Sequence, residues 1–383
     1  MAALPALDVD PLPQIDLRHV FVLTDDTGIL QHANRGTPDL HHGYCTDDNA
    51  RALIAAVKLW ALPQDAWAPA EPDLPGPNDV LVATQRYLAF LAYAFNPGRG
   101  RFRNFMQYDR SWLEEVGSED SHARTVWGLG MAYRLAPNDG VRDLADELMD
   151  RALSAVETFP SLRPWAYALL GLDEYLLARP DHEPARRLHR ALTQRLFERW
   201  QAQAADDWPW WEDSLTWGNA KLPHAMLVAA ERLGRADVVD AALKALRWLL
   251  EIQRAADGHL SVVGNQGWYI RGGPRAHYDQ QPIEAKALVQ ACLAAAGITG
   301  DTYWAVEAGR AFRWFTGHND AGASLYNPET GGGFDGFGSG GVNANQGAES
   351  TLAYLLSVLE LHLYDLARRG QSPVPAAPRA DRS

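Results

Sequence analysis

Several things are scarce in this chain, and each scarcity removes a class. Only 2 of its 383 residues are cysteine, too few for a disulfide framework or a multi-cysteine zinc module. No apolar run approaches the roughly 20 residues of a membrane-spanning helix. The opening stretch MAALPALDVDPLPQ lacks the basic and apolar regions of a secretory signal, so a cytoplasmic address without a membrane partner is expected. Positive charge is in deficit, with 35 Lys and Arg against 48 Asp and Glu for a net −13, and the arginines are spread along the chain. A polyphosphate backbone would be repelled, so no nucleic-acid partner is expected. The Gly-dense run GGGFDGFGSGG at 331–341 is not a phosphate-binding G-x-x-x-x-G-K-[ST] loop and reads as a flexible lid or hairpin tip. No Rossmann-type βαβ nucleotide site is visible. Histidines stand at 32, 41 and 42, but no H-x-x-x-H occurs on a helical pattern, so neither metal nor cofactor is expected. Cys45 has no base paired to it and reads as a buried or lining thiol.

What is present is helix of two alternating kinds. Residues 47–60, 120–135, 164–178, 217–233, 281–297 and 346–361 are rich in Ala and Leu and almost free of charge after the first turn. Residues 79–95, 140–157, 184–202, 237–254 and 302–316 are charged and amphipathic. A helix apolar all round must be buried on all sides, whereas one with a single apolar stripe lies at the surface. The strict alternation predicts an all-α fold, an (α/α)6 barrel in which an inner ring is wrapped by an outer one. It would occupy 15–368, between a flexible N-terminal tail at 1–14 and a disordered C-terminal tail at 369–383. Only five outer helices are evident. The sixth pair is either incomplete or closed by Leu17 to Leu30 (LRHVFVLTDDTGIL), which has a strand-like pattern.

Loops from inner to outer helix are short, while those at 96–119, 203–216, 255–280 and 317–345 are long. Loops beyond about 12–15 residues in a compact domain are usually functional or disordered. These carry Trp, Tyr, Gly and Asn, contain short strand-like pieces suggesting β-hairpins, and all open onto the end where the inner helices begin. The acids of the inner helices gather at that same end: Asp47, Asp48, Glu119, Asp120, Glu212, Asp213, Glu284 and Glu349. Any one of them could be a helix cap, worth about 0.5–2 kcal/mol. Taken together they resist that reading, because the outer helices carry acids along their whole length and the inner ones only at the mouth. Glycosidic cleavage needs one carboxylic acid to protonate the leaving oxygen and one carboxylate to activate water or attack the sugar. Asp120 and Glu349 are the principal catalytic candidates, with Asp48, Asp213 and Glu284 as alternates.

Polar and aromatic neighbours fit a sugar, whose hydroxyls want amides and charges and whose C–H faces pack on rings. The candidate binding residues from the first half of the chain are Tyr44, Asp47, Asn49, Arg51, His122, Arg124 and Trp127. From the second half they are Trp211, Asn219, Lys221, His224, Trp268, Gln281, Asn345 and Gln346. The chain has 14 Trp in all; many fall at the mouth, while Trp200, Trp248, Trp304 and Trp314 are expected in the core.

The strings TDDTGILQHA, GYCTDDNARAL, SEDSHARTVWGLG and NANQGAESTLAYL resemble a group of bacterial (α/α)6-toroid proteins, six-hairpin glycosidase-like and loosely labelled glycosyltransferase or glycosidase-related. That group is found near glycosyltransferases and β-mannoside phosphorylases. The resemblance spans nearly the whole chain between the tails and implies a saccharide substrate. Together with the carboxylates it leads to an expected glycoside hydrolase acting on a short oligosaccharide, a β-mannoside or β-glucoside favoured, with inversion. A monomer or homodimer is expected. Two alternatives stand beside it: a sugar isomerase or 2-epimerase moving a proton through His122 and His224, and a non-catalytic saccharide-binding protein.

Overall fold

Inner and outer helices alternate along the whole chain. The structure, a computed structural model, describes residues 4–69, 71 and 73–371. A short helix α1 (Arg18–Leu23) is followed by α2 (Thr46–Ala61), α3 (Pro77–Ala94), α4 (Glu119–Leu135), α5 (Asp139–Val156) and α6 (Leu162–Ala178). Then come α7 (Glu183–Gln203), α8 (Lys221–Leu233), α9 (Ala236–Ile252), α10 (Pro282–Thr299), α11 (Thr302–Arg313) and α12 (Ala348–Arg368). Helices α2, α4, α6, α8, α10 and α12 each pack on the next, and α12 packs on α2, so the inner ring closes. The even helices are buried on almost every face. Outer α5, by contrast, buries a stripe of Val141, Ala145, Leu148, Met149, Ala152 and Val156, the spacing of one helical face. The (α/α)6 barrel expected from the alternation is the fold observed.

The inner ring is tight where side chains are smallest. Gly130 of α4 faces Gly171 of α6, and a methyl added at Gly171 would lie 2.5 Å from the carbonyl oxygen of Val126. Glycine also stops two inner helices: Gly234 and Gly300 take left-handed backbone (φ 66° and 68°) after α8 and α10, a conformation with little penalty only for residues without Cβ.

Two segments differ from their sequence patterns. Arg18–Leu23, strand-like in sequence, is a helix that packs on α12 and completes the sixth pair. Its buried residues His19, Val20 and Leu23 lie at the three- to four-residue spacing of one helical face. The expected flexible N-terminal tail is, over residues 4–14, a strap on the barrel wall. Arg313 donates to the Asp8 carbonyl at 2.7 Å and His362 Nε2 lies 2.8 Å from the Pro13 carbonyl, while Leu4, Leu7, Val9 and Leu12 pack against the core. Of the expected C-terminal tail, 372–383 lies outside the described residues. No helix among the described residues is long and apolar enough to cross a membrane.

The long loops interlock over one end of the ring through two-residue antiparallel pairs. Tyr44–Cys45 pairs with Phe105–Met106, and Ser214–Leu215 with Tyr269–Ile270. The Gly-dense run makes two such pairs, Gly332–Gly333 with Tyr326–Asn327 and Phe337–Gly338 with Gly341–Val342. It is therefore a hairpin tip, as expected, but pinned rather than free: a Cβ at Gly333 would sit 2.5 Å from the Ser350 carbonyl oxygen.

The α4–α6 contact yields a test. Gly171→Ala should lower unfolding free energy by about 1–3 kcal/mol through overpacking, whereas Gly297→Ala, where a methyl meets nothing within 4 Å, should not destabilise. Urea melts of the two variants check this; equal midpoints would show that the close approach is not a constraint.

Candidate active site

The first-turn acids of the inner helices are not caps. Ser118 caps α4, accepting from the Ser121 amide at 3.0 Å, and Cys45, Gln281 and Gly347 occupy the cap positions of α2, α10 and α12 without a side-chain cap bond. Asp47 and Asp48 instead turn to Arg51, one helical turn on, the i,i+4 and i,i+3 neighbours that a helix brings together. Arg51 Nη2 donates to Asp47 Oδ2 and to Glu349 Oε2, each at 2.7 Å, and Nη1 donates to Asp48 Oδ1. Glu349 begins α12, so this guanidinium ties the first and last inner helices together at the mouth.

These groups line a cavity of about 220 Å³ with His32, Cys45, Gln281, Asp335 and Asn345. One permanent cation faces three carboxylates and leaves negative charge in excess. Burial, helped by the Asp47 and Glu349 charges and opposed by Arg51, pushes Asp48 up to about 7. Cys45 Sγ donates to Asp48 Oδ2 at 2.8 Å, and burial with the adjacent carboxylates pushes that thiol up, so it is a hydrogen-bond donor and not a nucleophile. Cys45, Asp47 and Asp48 bring ligand atoms within 4.8 Å of one another. Their lone pairs, however, already serve Arg51 and the thiol, so the set suits a cation poorly.

Asp335 is the carboxylate that sequence reasoning missed. It sits in the Gly-dense run, its amide donating to the carbonyls of Asn343 and Asn345 at 3.2 and 2.9 Å, with Gly336 beside it in left-handed backbone (φ 75°) against Gln280. Burial and the Glu349 charge, against a hydrogen bond from Asn345, push Asp335 up to about 6. Of the four carboxyl groups on this cavity, two differ in setting: Glu349 has one oxygen held by Arg51 and a side chain 37% exposed, and Asp335 is raised toward neutrality. The signal in the sequence was an acid between two phenylalanines in a long mouth loop, masked by the glycines around it.

Beneath the cavity the barrel interior is polar. Lys58 Nζ reaches Glu360 at 3.0 Å, Gln290 Nε2 donates to Glu360 at 2.6 Å, and Lys221 donates to Gln290 while its Nζ lies 4.6 Å from the Trp127 ring centroid. Lys286 is buried with no hydrogen bond or ion pair among the described residues, and burial with the Arg51 and Arg124 charges brings it down to about 7. Lys221 and Trp127 therefore belong to the floor. His224 lies there too, its Nδ1 unpartnered and its charged form disfavoured by burial and the lysines.

Of the expected site residues, the structure gathers Asp47, Asp48, Arg51, Gln281, Asn345 and Glu349 around one cavity. Asp120 and Arg124 lie beside it. Arg124 Nε donates to Asp120 Oδ2 at 2.5 Å, and its guanidinium stands 4.1 Å over the Tyr167 ring. Asp120 lines a second mouth cavity of about 610 Å³, with Arg163, Glu212 and Trp217.

The remaining expected residues point elsewhere, each for a local reason. His122 turns outward between Phe102 and Phe159, its Nε2 3.0 Å from the Ala152 carbonyl, and burial pushes it down to about 3. Tyr44 alternates away from Cys45 along its strand and donates to Asp25 at 2.5 Å. Asn49 clamps the Ile29 amide at 3.0 Å, and Gln346 accepts from Thr330 at 2.5 Å. Glu284 is spent on the turn before α8, accepting from the Gly218 amide and from Asn219 at 3.2 Å (amide) and 3.0 Å (Nδ2), which accounts for Asn219 as well. That turn, with Gly218 at φ 59°, delays α8 to Lys221 and leaves Glu212 and Asp213 in the loop. Asp213 is 72% exposed, 4.0 Å from Arg271. Trp211 is fully buried, donating to the Leu196 carbonyl at 2.9 Å, and joins Trp210, whose ring also meets Trp248. Trp268 lies in the 255–280 loop at φ 59° and lines neither cavity.

Several solved structures share this architecture. A sugar epimerase from a ruminal bacterium overlays with a TM-score of 0.68 at 11% identity, covering 91% of this chain and 95% of its own. Cellobiose 2-epimerase from Bacillus thermoamylovorans gives 0.68 at 13%, covering 91% and 96%. The GH76 alpha-mannanase of Bacteroides thetaiotaomicron gives 0.62 at 12%, covering 91% and 94%. No protein-family model matches the chain, and no curated protein matches it in sequence. At such identities the likeness is one of fold: the chain is an (α/α)6 toroid.

The protonation pattern at the cavity is measurable. Asp335 is raised above its unfolded value, so between about pH 4 and about 6 the folded chain holds a proton the unfolded chain has released, and the group loses stabilising effect as pH rises through that window. Relative to the parent, Asp335→Asn should therefore gain in melting temperature as pH goes from about 4.5 to 7. Thermal melts across that range test it; a constant difference would contradict the raised carboxyl.

Proposed function

We propose that the protein is a carbohydrate-processing enzyme, and that it is a glycoside hydrolase cleaving a short oligosaccharide at the Arg51 cavity. The observation that carries the reading is the presence of Asp335 and Glu349 on one cavity, Asp335 raised to about 6 by burial and the Glu349 charge and Glu349 anchored on Arg51. Such a pair divides into acid and base. Asp335, whose hold on its proton burial and the Glu349 charge strengthen, gives that proton to the leaving glycosidic oxygen. Glu349, with one oxygen anchored on Arg51, takes a proton from water as that water bonds to the anomeric carbon from the opposite face. Inversion is the favoured outcome. Asp120, paired with Arg124 and lining the neighbouring cavity, is not needed for either role. The favoured sugar is a mannoside or glucoside, in keeping with neighbours whose names speak of mannan and cellobiose.

A second reading has its own observation. His32 lines the same cavity, 3.3 Å from Asn345 Nδ2, and burial holds it toward the neutral form, so a proton shuttle for an isomerase or 2-epimerase would come from His32 and not from the outward-facing His122. Incubation with defined manno- and gluco-oligosaccharides in D₂O separates the two. Hydrolysis gives shorter sugars, with NMR of the first-formed anomer reporting inversion, whereas epimerisation puts deuterium on carbon. Under the hydrolase reading Glu349→Gln and Asp335→Asn each lower kcat by about 10²–10⁴-fold. Full turnover in both variants would reject the pair.

A further inference from the structure

The larger mouth cavity is unexplained by cleavage chemistry. It lies next to the Arg51 cavity around the ring, between the starts of α4 and α6 and the loop before α8, and is bounded by Asp120, Arg163, Trp165, Glu212 and Trp217. Its volume of about 610 Å³ falls within the roughly 300–1,000 Å³ of small-ligand sites, whereas the Arg51 cavity, at about 220 Å³, is too small by that measure to enclose an oligosaccharide.

The side chains are built for a polar ligand with an apolar face. Arg163 is 4% exposed and held rigidly: Nε donates to the Trp217 carbonyl at 2.5 Å and Nη1 to Glu212 Oε2 at 2.7 Å. Its remaining nitrogen, Nη2, is buried without a partner, and so is Asp120 Oδ1. A buried donor and a buried acceptor left unsatisfied are costly, and here both belong to residues lining one cavity. The Arg163 guanidinium also lies 4.7 Å from the Trp217 ring centroid, fixing an indole that stays 41% exposed. The exposed ring, on a wall whose charged residues keep this unsatisfied donor and acceptor just beneath the surface, suits a pyranose, with C–H groups on the ring and hydroxyls toward the charges. Cations and anions are mixed on the wall, which suits an uncharged sugar over a phosphorylated or acidic one.

Arg124 joins the two cavities. It pairs with Asp120 in the larger one, and against burial its charge adds to that of Arg51 in holding down Asp47, which lines the smaller one. We propose that the Trp217 cavity is a second saccharide subsite, binding a neutral hexose unit of the same oligosaccharide whose cleaved bond lies at the Arg51 cavity. This rests on the reading of that cavity as the reaction site, and it makes Asp120 a binding residue rather than the catalytic acid.

The test separates binding from cleavage. Glu349→Gln protein, in which turnover is suppressed, is titrated by calorimetry with mannose, mannobiose to mannotetraose, glucose and cellobiose to cellotetraose, with and without Trp217→Ala or Asp120→Asn. The expected result is that each added substitution weakens the tri- and tetrasaccharides of one series by about tenfold or more and leaves the monosaccharide unaffected, with Trp217→Ala leaving the melting temperature of the protein unchanged. Equal affinity for the long oligosaccharides with and without Trp217 would overturn the subsite, as would failure of every oligosaccharide to bind. If Trp217-dependent binding is seen while the parent protein cleaves nothing, the subsite stands and the hydrolase reading falls.

Discussion

One guanidinium answers three carboxylates at the mouth of this barrel, and much of the site follows from that imbalance. Arg51 reaches Asp47 and Asp48 on its own helix and Glu349 on the last inner helix. It closes the ring electrostatically at the seam where α12 meets α2. Burial, with the carboxylate charges that Arg51 does not offset, pushes Asp48 up to about 7, and burial and the Glu349 charge raise Asp335 to about 6. The same residue that holds the ring together thereby opposes the upward push of burial on Asp48. Removing Arg51 would leave buried carboxylates uncompensated, which is why the position is both structural and chemical.

The polar interior extends the argument downward. The chain has only 4 lysines, and three of them, Lys58, Lys221 and Lys286, are buried inside the barrel. Buried ion pairs are weak evidence for stability, because desolvation offsets attraction; an apolar floor would be the simpler way to fill a ring of helices. The ladder from Lys58 through Glu360 and Gln290 to Lys221 instead holds a buried polar layer beneath the mouth in fixed register.

The alternation of inner and outer helices was readable because it rests on periodicity, and a helix apolar all round has one place to go. Which end carries the site was readable too, from loop length and the clustering of acids. Individual roles were not. Asp48 and Glu284 look alike in sequence, each an acid in the first turn of an inner helix, yet one lines the cavity and the other is consumed by backbone amides at Gly218 and Asn219. The tryptophans divide in the same way. Trp210 and Trp211 stand a few residues from Trp217, but the first two are packed into the core and only the last lines a cavity. His122, beside Asp120 in a helix start that faces the mouth, looks outward because helical geometry turns residues two positions apart to different faces.

Composition and periodicity alone determined the inner and outer rings of helices and the end at which the long loops and inner-helix acids gather, since these depend on burial averaged over whole elements; closure of the sixth pair by the helix Arg18–Leu23 came only with the tertiary structure. The tertiary structure alone decided which carboxylates keep company. Asp335 reaches Glu349 only because Gly333 and Gly336 let the 331–341 hairpin lie against the backbone of α12 and Gln280. Such contacts between residues distant in sequence leave no periodic trace in the chain, and they set the burial and charge on which each group's chemistry depends.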